Sequence, residues 1–148
     1  MPQKLWFAAA GAALMLATGT TLAHHAFSAE FDASKPVKLE GAITKVELVN
    51  PHAWIHMEVK KPDGTKQCEY APNTKCVDWM VEGGTPNTLQ RRGITRDTIK
   101  VGTTIVVEGY QSKDGTMKAN GRNMTFPDGK TLFMGSSGTG APDERPEP

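Results

Sequence analysis

The chain has 148 residues, with 17 lysines and arginines against 16 aspartates and glutamates. This length suits one globular domain, and the near-neutral charge gives no electrostatic basis for binding nucleic acid, which depends on neutralising phosphates. The sequence contains no serine-nucleophile elbow, phosphate-binding glycine loop or dinucleotide fingerprint, and these absences favour a binding protein over an enzyme.

Residues 1–23 have the features of a secretory signal peptide. Lys4 supplies a positive start, an apolar run follows, and Thr21-Leu22-Ala23 offers a cleavage site. The apolar run is too short for a membrane-spanning helix, which needs roughly 20 residues. We therefore expect export to a bacterial periplasm or beyond, no membrane span after cleavage, and a mature chain that begins at His24. An uncleaved anchor is the alternative.

Alternating strand-like segments and turn residues dominate the mature region. They predict strands at residues 37–49, 53–60, 77–82, 103–110, 118–126 and 130–134. In the first strand the apolar residues change face near Thr44-Lys45, which predicts a bulge or a sharp bend. Between the third and fourth strands Thr85 can cap a short helix, Pro86 suits its first position, and Gly93 lets the chain turn out.

This order of elements predicts the fold class. Three strands, a helix and then two strands is the order of the OB-fold, a small Greek-key barrel. We therefore predict a mainly β fold, an OB-fold-like barrel over residues 24–134 with one short helix between strands three and four. A β-sandwich is the alternative. Residues 135–148 are rich in Gly, Ser, Pro and charge, and are predicted to form a flexible tail.

Cys68 and Cys76 are the two cysteines of the chain. In an oxidising compartment an even pair at short separation favours a disulfide. Closing so small a loop would contribute about 2.5 kcal/mol in the chain-entropy model. The rival interpretations are a pair of thiolate metal ligands or a redox centre, although the separation is wider than the Cys-x-x-Cys of redox centres.

Several short motifs are distributed along the mature region. They are Ala23-His24-His25-Ala26-Phe27, Asn50-Pro51-His52-Ala53-Trp54, Gly83-Gly84-Thr85-Pro86-Asn87 and Gly135-Ser136-Ser137-Gly138. Together they resemble a family of small exported bacterial proteins catalogued as a domain of unknown function (family 6152). The resemblance implies export and a compact β-rich domain, and it brings no established activity, ligand or catalytic residue.

The four histidines occur as two pairs, His24-His25 after the signal and His52 with His56 near the second strand. Cleavage would expose the α-amine and ring of His24, and both can bind a metal. His52 and His56 share a strand face but lie roughly 13 Å apart, so joint ligation requires a bend after Pro51. Nitrogen ligands favour copper(II), then nickel or zinc. We therefore predict a copper site drawn from these four residues; the alternative is that they are ordinary terminal, turn and strand residues.

Three kinds of function remain open at this point. The first is an exported metal-binding protein, such as a copper carrier or accessory subunit. The second is an interaction module whose exposed aromatic face, with Trp54 and Tyr110, binds a small ligand or a periplasmic partner protein. The third is an enzyme that uses the same metal for oxidation. Convergence of His24 with His52 or His56 would favour the metal-binding protein. Dispersed histidines beside a hydrophobic groove would favour the interaction module.

Overall fold

The computed structural model describes residues 26–61 and 78–148, and strands make up most of its regular structure. In chain order the elements are α1 (Ala26–Glu30), β1 (Phe31–Val49), β2 (His52–Val59), β3 (Trp79–Glu82), α2 (Pro86–Arg91), β4 (Thr104–Ser112), β5 (Lys118–Thr125) and β6 (Thr131–Phe133). Within these ranges, neither helix has the length and apolar character needed to cross a membrane. The mainly β class predicted from the sequence is confirmed.

The strands form one sheet in the order β3-β2-β1-β4-β5-β6. A parallel pairing between β3 and β5, which sets Met80 opposite Lys118 and Glu82 opposite Asn120, closes five of the strands into a ring of hydrogen bonds. We call this ring the barrel. β6 pairs only with β5 and extends the sheet beyond the ring. The OB-fold label itself stays a prediction.

Alternation along β2 separates the barrel core from its outer face. Every second residue from Ala53 to Val59 is buried, and the residues between them, beginning with His52, are half-buried on the outer face. The apolar half of this pattern packs with buried side chains of the other strands, including Val81 and Val107. The polar and aromatic side chains of the other half lie on the outer face, where they contact neighbouring segments or solvent.

The predicted bulge in β1 is confirmed. Its pairing with β2 shifts register between Ile43 and Lys45, so Thr44 is an extra residue. Because of this extra residue, Ile43 before it and Val46 after it both contact the barrel core although they are an odd number of residues apart. β1 also begins earlier than predicted, at Phe31 instead of residue 37, because its first part runs beside the end of β4.

Helix α2 forms where its boundary residues predict it. The Thr85 hydroxyl accepts a hydrogen bond from the Thr88 backbone N–H at 3.2 Å, and Pro86 occupies the first turn. Gly93 ends the helix region with a φ of 87°, a conformation that residues with a Cβ rarely adopt. The helix directs Leu89 into the core, where it is fully buried.

Residues 135–148, predicted to form a flexible tail, contact α1 and the end of α2 in this structure. The Phe27 N–H donates to the Thr139 carbonyl at 3.1 Å, and Arg92 Nη1 donates to the Gly135 carbonyl at 2.6 Å. Ala141 packs with Phe27 and other rings in a small apolar cluster separate from the core. The flexibility of this segment in solution stays a prediction.

Replacing Leu89 with alanine should lower the free energy of unfolding by roughly 2–5 kcal/mol, because the change leaves a cavity in the barrel core. Val101→Ala is the matched control, since Val101 is 67% exposed, and it should change the free energy by less than about 0.5 kcal/mol. Chemical denaturation followed by circular dichroism measures both. Equal losses in the two variants would contradict the assigned position of Leu89.

The turn between β4 and β5 predicts a pH dependence. The Asp114 carboxylate accepts hydrogen bonds from the Ser112 hydroxyl at 2.6 Å and from the Thr116 N–H at 3.0 Å, and these bonds lower the pKa of Asp114 from 3.8 to about 2. Folding therefore favours the charged carboxylate, and this stabilisation is complete above the unfolded pKa and lost as the pH falls through the folded one. The difference in melting temperature between wild type and Asp114→Ala should shrink from about pH 4 to about pH 2. A constant difference across that range would contradict the charge-assisted turn.

Candidate functional site

A cleft of about 220 Å³ lies on the outer face of the barrel, beside α1 and over strands β2, β3 and β5. Its lining residues are Ala26, Phe27, Glu30, Phe31, His52, Trp54, Glu82, Asn120 and Thr139. We call it the His52 cleft. Its wall combines aromatic rings with an imidazole, carboxylates and an amide, a mixture typical of sites for small ligands or ions.

Strand pairing explains why the polar side chains converge. Trp54 lies opposite Glu82, and Glu82 lies opposite Asn120. Residues directly opposite on neighbouring strands share a face, and His52 shares the face of Trp54 because it is two residues away along β2. The closure of the ring therefore places His52, Glu82 and Asn120 side by side.

His52 and Glu82 are neighbouring ionisable residues in the cleft. Nδ1 of His52 lies 3.8 Å from Oε1 of Glu82, and the His52 side chain is 35% exposed whereas that of Glu82 is 9% exposed. Burial raises the pKa of Glu82, and the charge of Glu30 acts in the same direction, whereas His52 and the hydrogen bond from Asn120 act against it. Of the two groups, His52 is the more accessible to a ligand.

Asn120 contributes a hydrogen-bond acceptor with no described partner. Its Nδ2 donates to Oε1 of Glu82 at 3.3 Å. Its Oδ1 is buried and accepts no hydrogen bond from the residues that the structure describes. Because a buried acceptor without a partner costs free energy, a donor or a cation that reached this oxygen from the cleft would be stabilised.

An ion pair connects α1 to the rim of the cleft. Lys118 of β5 contacts the carboxylate of Glu30, and this hydrogen bond raises the pKa of Lys118. The Lys118 ammonium also lies 5.8 Å from the centroid of the Trp54 ring, within the range of a cation–π contact. The start of the described chain is thereby attached to the two strands that carry Trp54 and Asn120.

The structure separates His56 from His52. Both lie on the continuous strand β2, but His56 does not line the His52 cleft. Its Nε2 instead lies 2.9 Å from Oε2 of Glu47 on β1. Hydrogen bonds from Lys45 and from His56 lower the pKa of Glu47, which favours the charged carboxylate beside the ring. His56 is thus already engaged by a neighbouring strand.

Several predicted site residues lie outside the described residues. They are His24, His25, Cys68 and Cys76, so the predicted disulfide and the terminal ligands stay predictions. Among residues 26–61 and 78–148, no group of three or more His, Cys, Asp or Glu side chains is arranged to hold a metal ion. A site at the cleft with three or more such ligands would therefore need at least one from residues 1–25 or 62–77, which lie outside the described ranges.

Trp54 and Tyr110, predicted as one aromatic face, lie in different clefts. Trp54 lines the His52 cleft, whereas Tyr110 lines another beside Arg122. Tyr110 packs edge-on against Phe27, with ring centroids 5.6 Å apart. Both aromatic side chains are half-buried.

The local sequence pattern predicts no role for Asn120 or Glu30, which complete the cleft. The alternation around Asn120 predicts only a residue on an outer strand face, and Glu30 precedes the predicted strands. Their positions follow from the β3–β5 pairing and from α1, respectively. The sequence feature that could have indicated a role for Asn120 is its position within a predicted strand, because asparagine is unfavourable in strands.

Comparison with family models gives one finding. The model of DUF6152, a family of unknown function, matches residues 12–122. Comparison with curated proteins and with solved structures gave no match. The matched region contains His52, Glu82 and Asn120.

Proposed function

The chain belongs to DUF6152, a family of unknown function, and from its own residues we propose that it is an exported copper-binding protein. The site would lie in the His52 cleft. The ring of His52, the amine and ring of His24 and the ring of His25 would hold the ion. The bacterial periplasm is the compartment in which it would act.

The observation that carries the proposal is the position of Ala26. It lines the same cleft as His52, and it directly follows His25 in the chain. One residue of extended chain spans at most about 3.6 Å, so the Cα of His24 is roughly 7 Å or less from that of Ala26. Covalent geometry thus keeps both terminal histidines near the cleft in any conformation.

Glu82 supports a ligand role for His52. Its Oε1 lies 3.8 Å from Nδ1 of the ring, and the Ser136 hydroxyl lies 3.5 Å from the same nitrogen, so Nε2 is the nitrogen left for an ion. At metal-binding histidines a carboxylate that accepts a hydrogen bond from the second ring nitrogen orients the ring and raises its basicity; Glu82 would take this role by moving closer to Nδ1. Nitrogen-rich ligation beside a carboxylate favours copper(II) over the other first-row divalent ions.

Copper titration of the mature protein, followed by EPR, tests the proposal. We expect one equivalent to bind with nitrogen couplings and more tightly than to the free tetrapeptide of residues 24–27, because the cleft adds His52. His52→Asn should weaken binding by about tenfold or more. His56→Gln, which changes the other histidine of β2, is the matched control and should leave the affinity unchanged.

A glycine inserted before His24 separates the contribution of the terminal amine. It removes the five-membered chelate of amine and ring while leaving all imidazoles in place, and it should also weaken binding. Intact-mass measurement of the exported protein establishes where the mature chain begins. Affinity no greater than that of the tetrapeptide, or equal losses in His52→Asn and His56→Gln, would contradict the proposal.

A non-metal ligand is the second candidate, and a separate observation favours it. The Oδ1 of Asn120 is buried and has no partner among the described residues, and Asn120 lines a cleft that also contains the rings of Phe27 and Trp54. A small molecule with an N–H or O–H donor and an apolar face would match these groups. If the protein binds copper no better than the tetrapeptide, this candidate becomes the better account of the cleft.

A further inference from the structure

Arg122 is a buried charge without a hydrogen-bond partner in the described part of the chain. It lies on β5 with only 3% of its surface exposed. Its Nε, Nη1 and Nη2 atoms are all buried, and none of them donates a hydrogen bond to any atom of residues 26–61 or 78–148. The carboxylates of Glu144 and Asp143 lie close enough to attract its charge, but a guanidinium carries five N–H donors, and buried donors without acceptors are unfavourable.

The surroundings of Arg122 fix its guanidinium in place. Its central carbon lies 4.7 Å from the centroid of the Phe133 ring. Arg92 and Arg145 approach the same ring at 4.8 Å and 4.7 Å. Three cations therefore surround one aromatic side chain, and the carboxylates of Glu144, Asp143 and Glu147 offset part of their charge.

Arg122 also forms part of a cleft of about 330 Å³, distinct from the His52 cleft. The residues beside it there include Lys38, Tyr110, Asn123 and Asp143. Tyr110 and Asn123 provide polar groups next to the arginine, and Lys38 at the exposed edge is paired with Glu108 at 3.5 Å.

We propose that this cleft binds a small carboxylic acid whose carboxylate pairs with Arg122. The planar guanidinium presents parallel N–H groups that match the two oxygens of a carboxylate. Asp143 and Glu108 also line the cleft, and their charges would repel a doubly charged phosphate more strongly than a single carboxylate. The bound acid would supply the hydrogen-bond acceptors that the guanidinium of Arg122 lacks.

The nitrogen atoms of Arg122 are covered, so entry of the acid requires a neighbouring segment to move. Asp143 lines the cleft, and we assign this movement to its segment. Asp143 has a φ of 58°, the one positive value at a non-glycine position in the described ranges, and L-residues adopt such a backbone rarely. The hydrogen bond from Tyr110 to its carboxylate is long, at 3.5 Å, whereas the neighbouring Glu144 accepts hydrogen bonds from the N–H groups of Thr139 and Gly140 at 2.5 Å and 2.6 Å.

Titration of the chelator-treated full mature protein with butyrate, acetate and inorganic phosphate, followed by NMR at constant ionic strength, tests this site. Removal of metal makes the result independent of copper binding. We expect saturable shifts with butyrate, weaker binding of acetate because it makes fewer contacts, and no saturable binding of phosphate. Arg145→Met is the matched control, because it removes another arginine from the Phe133 ring, and it should leave butyrate binding in place.

Two variants of Arg122 make the assignment specific. Arg122→Met should abolish butyrate binding and, in ligand-free buffer, unfold at the same temperature as wild type or higher, because it removes a buried charge whose donors have no acceptor. Arg122→Lys retains the charge without the planar pair of donors and should bind about tenfold more weakly; this variant is the decisive one if the methionine variant fails to fold. Absence of saturable butyrate binding by wild type, unchanged affinity in Arg122→Lys, or phosphate binding as tight as that of butyrate would overturn the proposal.

Discussion

The parallel pairing of β3 with β5 is the contact on which the rest of the structure depends. It joins Glu82 to Asn120 across the ring closure, and on the inner side it buries Val81 and Ala119 in the barrel core. Parallel neighbours need a long crossover between them, which here contains α2 and β4. Without the pairing, β3 would be an edge strand, and Glu82 would lack both its burial and its hydrogen-bond donor.

The outer face over this closure is covered by both ends of the described chain. Phe27 of α1 and Ala141 of the last segment pack together there. Thr139 lines the His52 cleft, and Asp143 lines the second cleft, which contains Arg122. The same C-terminal segment therefore borders both clefts. The ends of the chain therefore shape both clefts, and a change in how they pack would alter access to each of them.

Local chemistry predicted the local features of this fold. The cap at Thr85, the turn at Gly93 and the bulge at Thr44 each depend on residues close in sequence, and each is confirmed. Alternation also placed His52, Trp54 and His56 on one face of β2, where the structure has them. The mainly β class followed from the same signals.

Long-range pairing explains what could not be predicted. Asn120 and Glu82 are 38 residues apart, and alternation gives the face of each without giving their neighbours. His56 shows the same limit: its face was predictable, but its acceptor Glu47 depends on the register that the β1 bulge shifts. The two clefts arise from how strands and chain ends pack, which single-strand patterns do not encode.

The central claim is that the terminal histidines and His52 hold copper(II) in one cleft. Paramagnetic broadening tests it most directly, because copper(II) removes NMR signals only from nuclei close to it. Added in less than one equivalent to the mature protein, copper should first remove the signals of the Trp54 indole and the Asn120 side-chain amide, while the signals around His56 and Glu47 persist. Broadening centred on His56, or spread evenly over the surface, would contradict the claim.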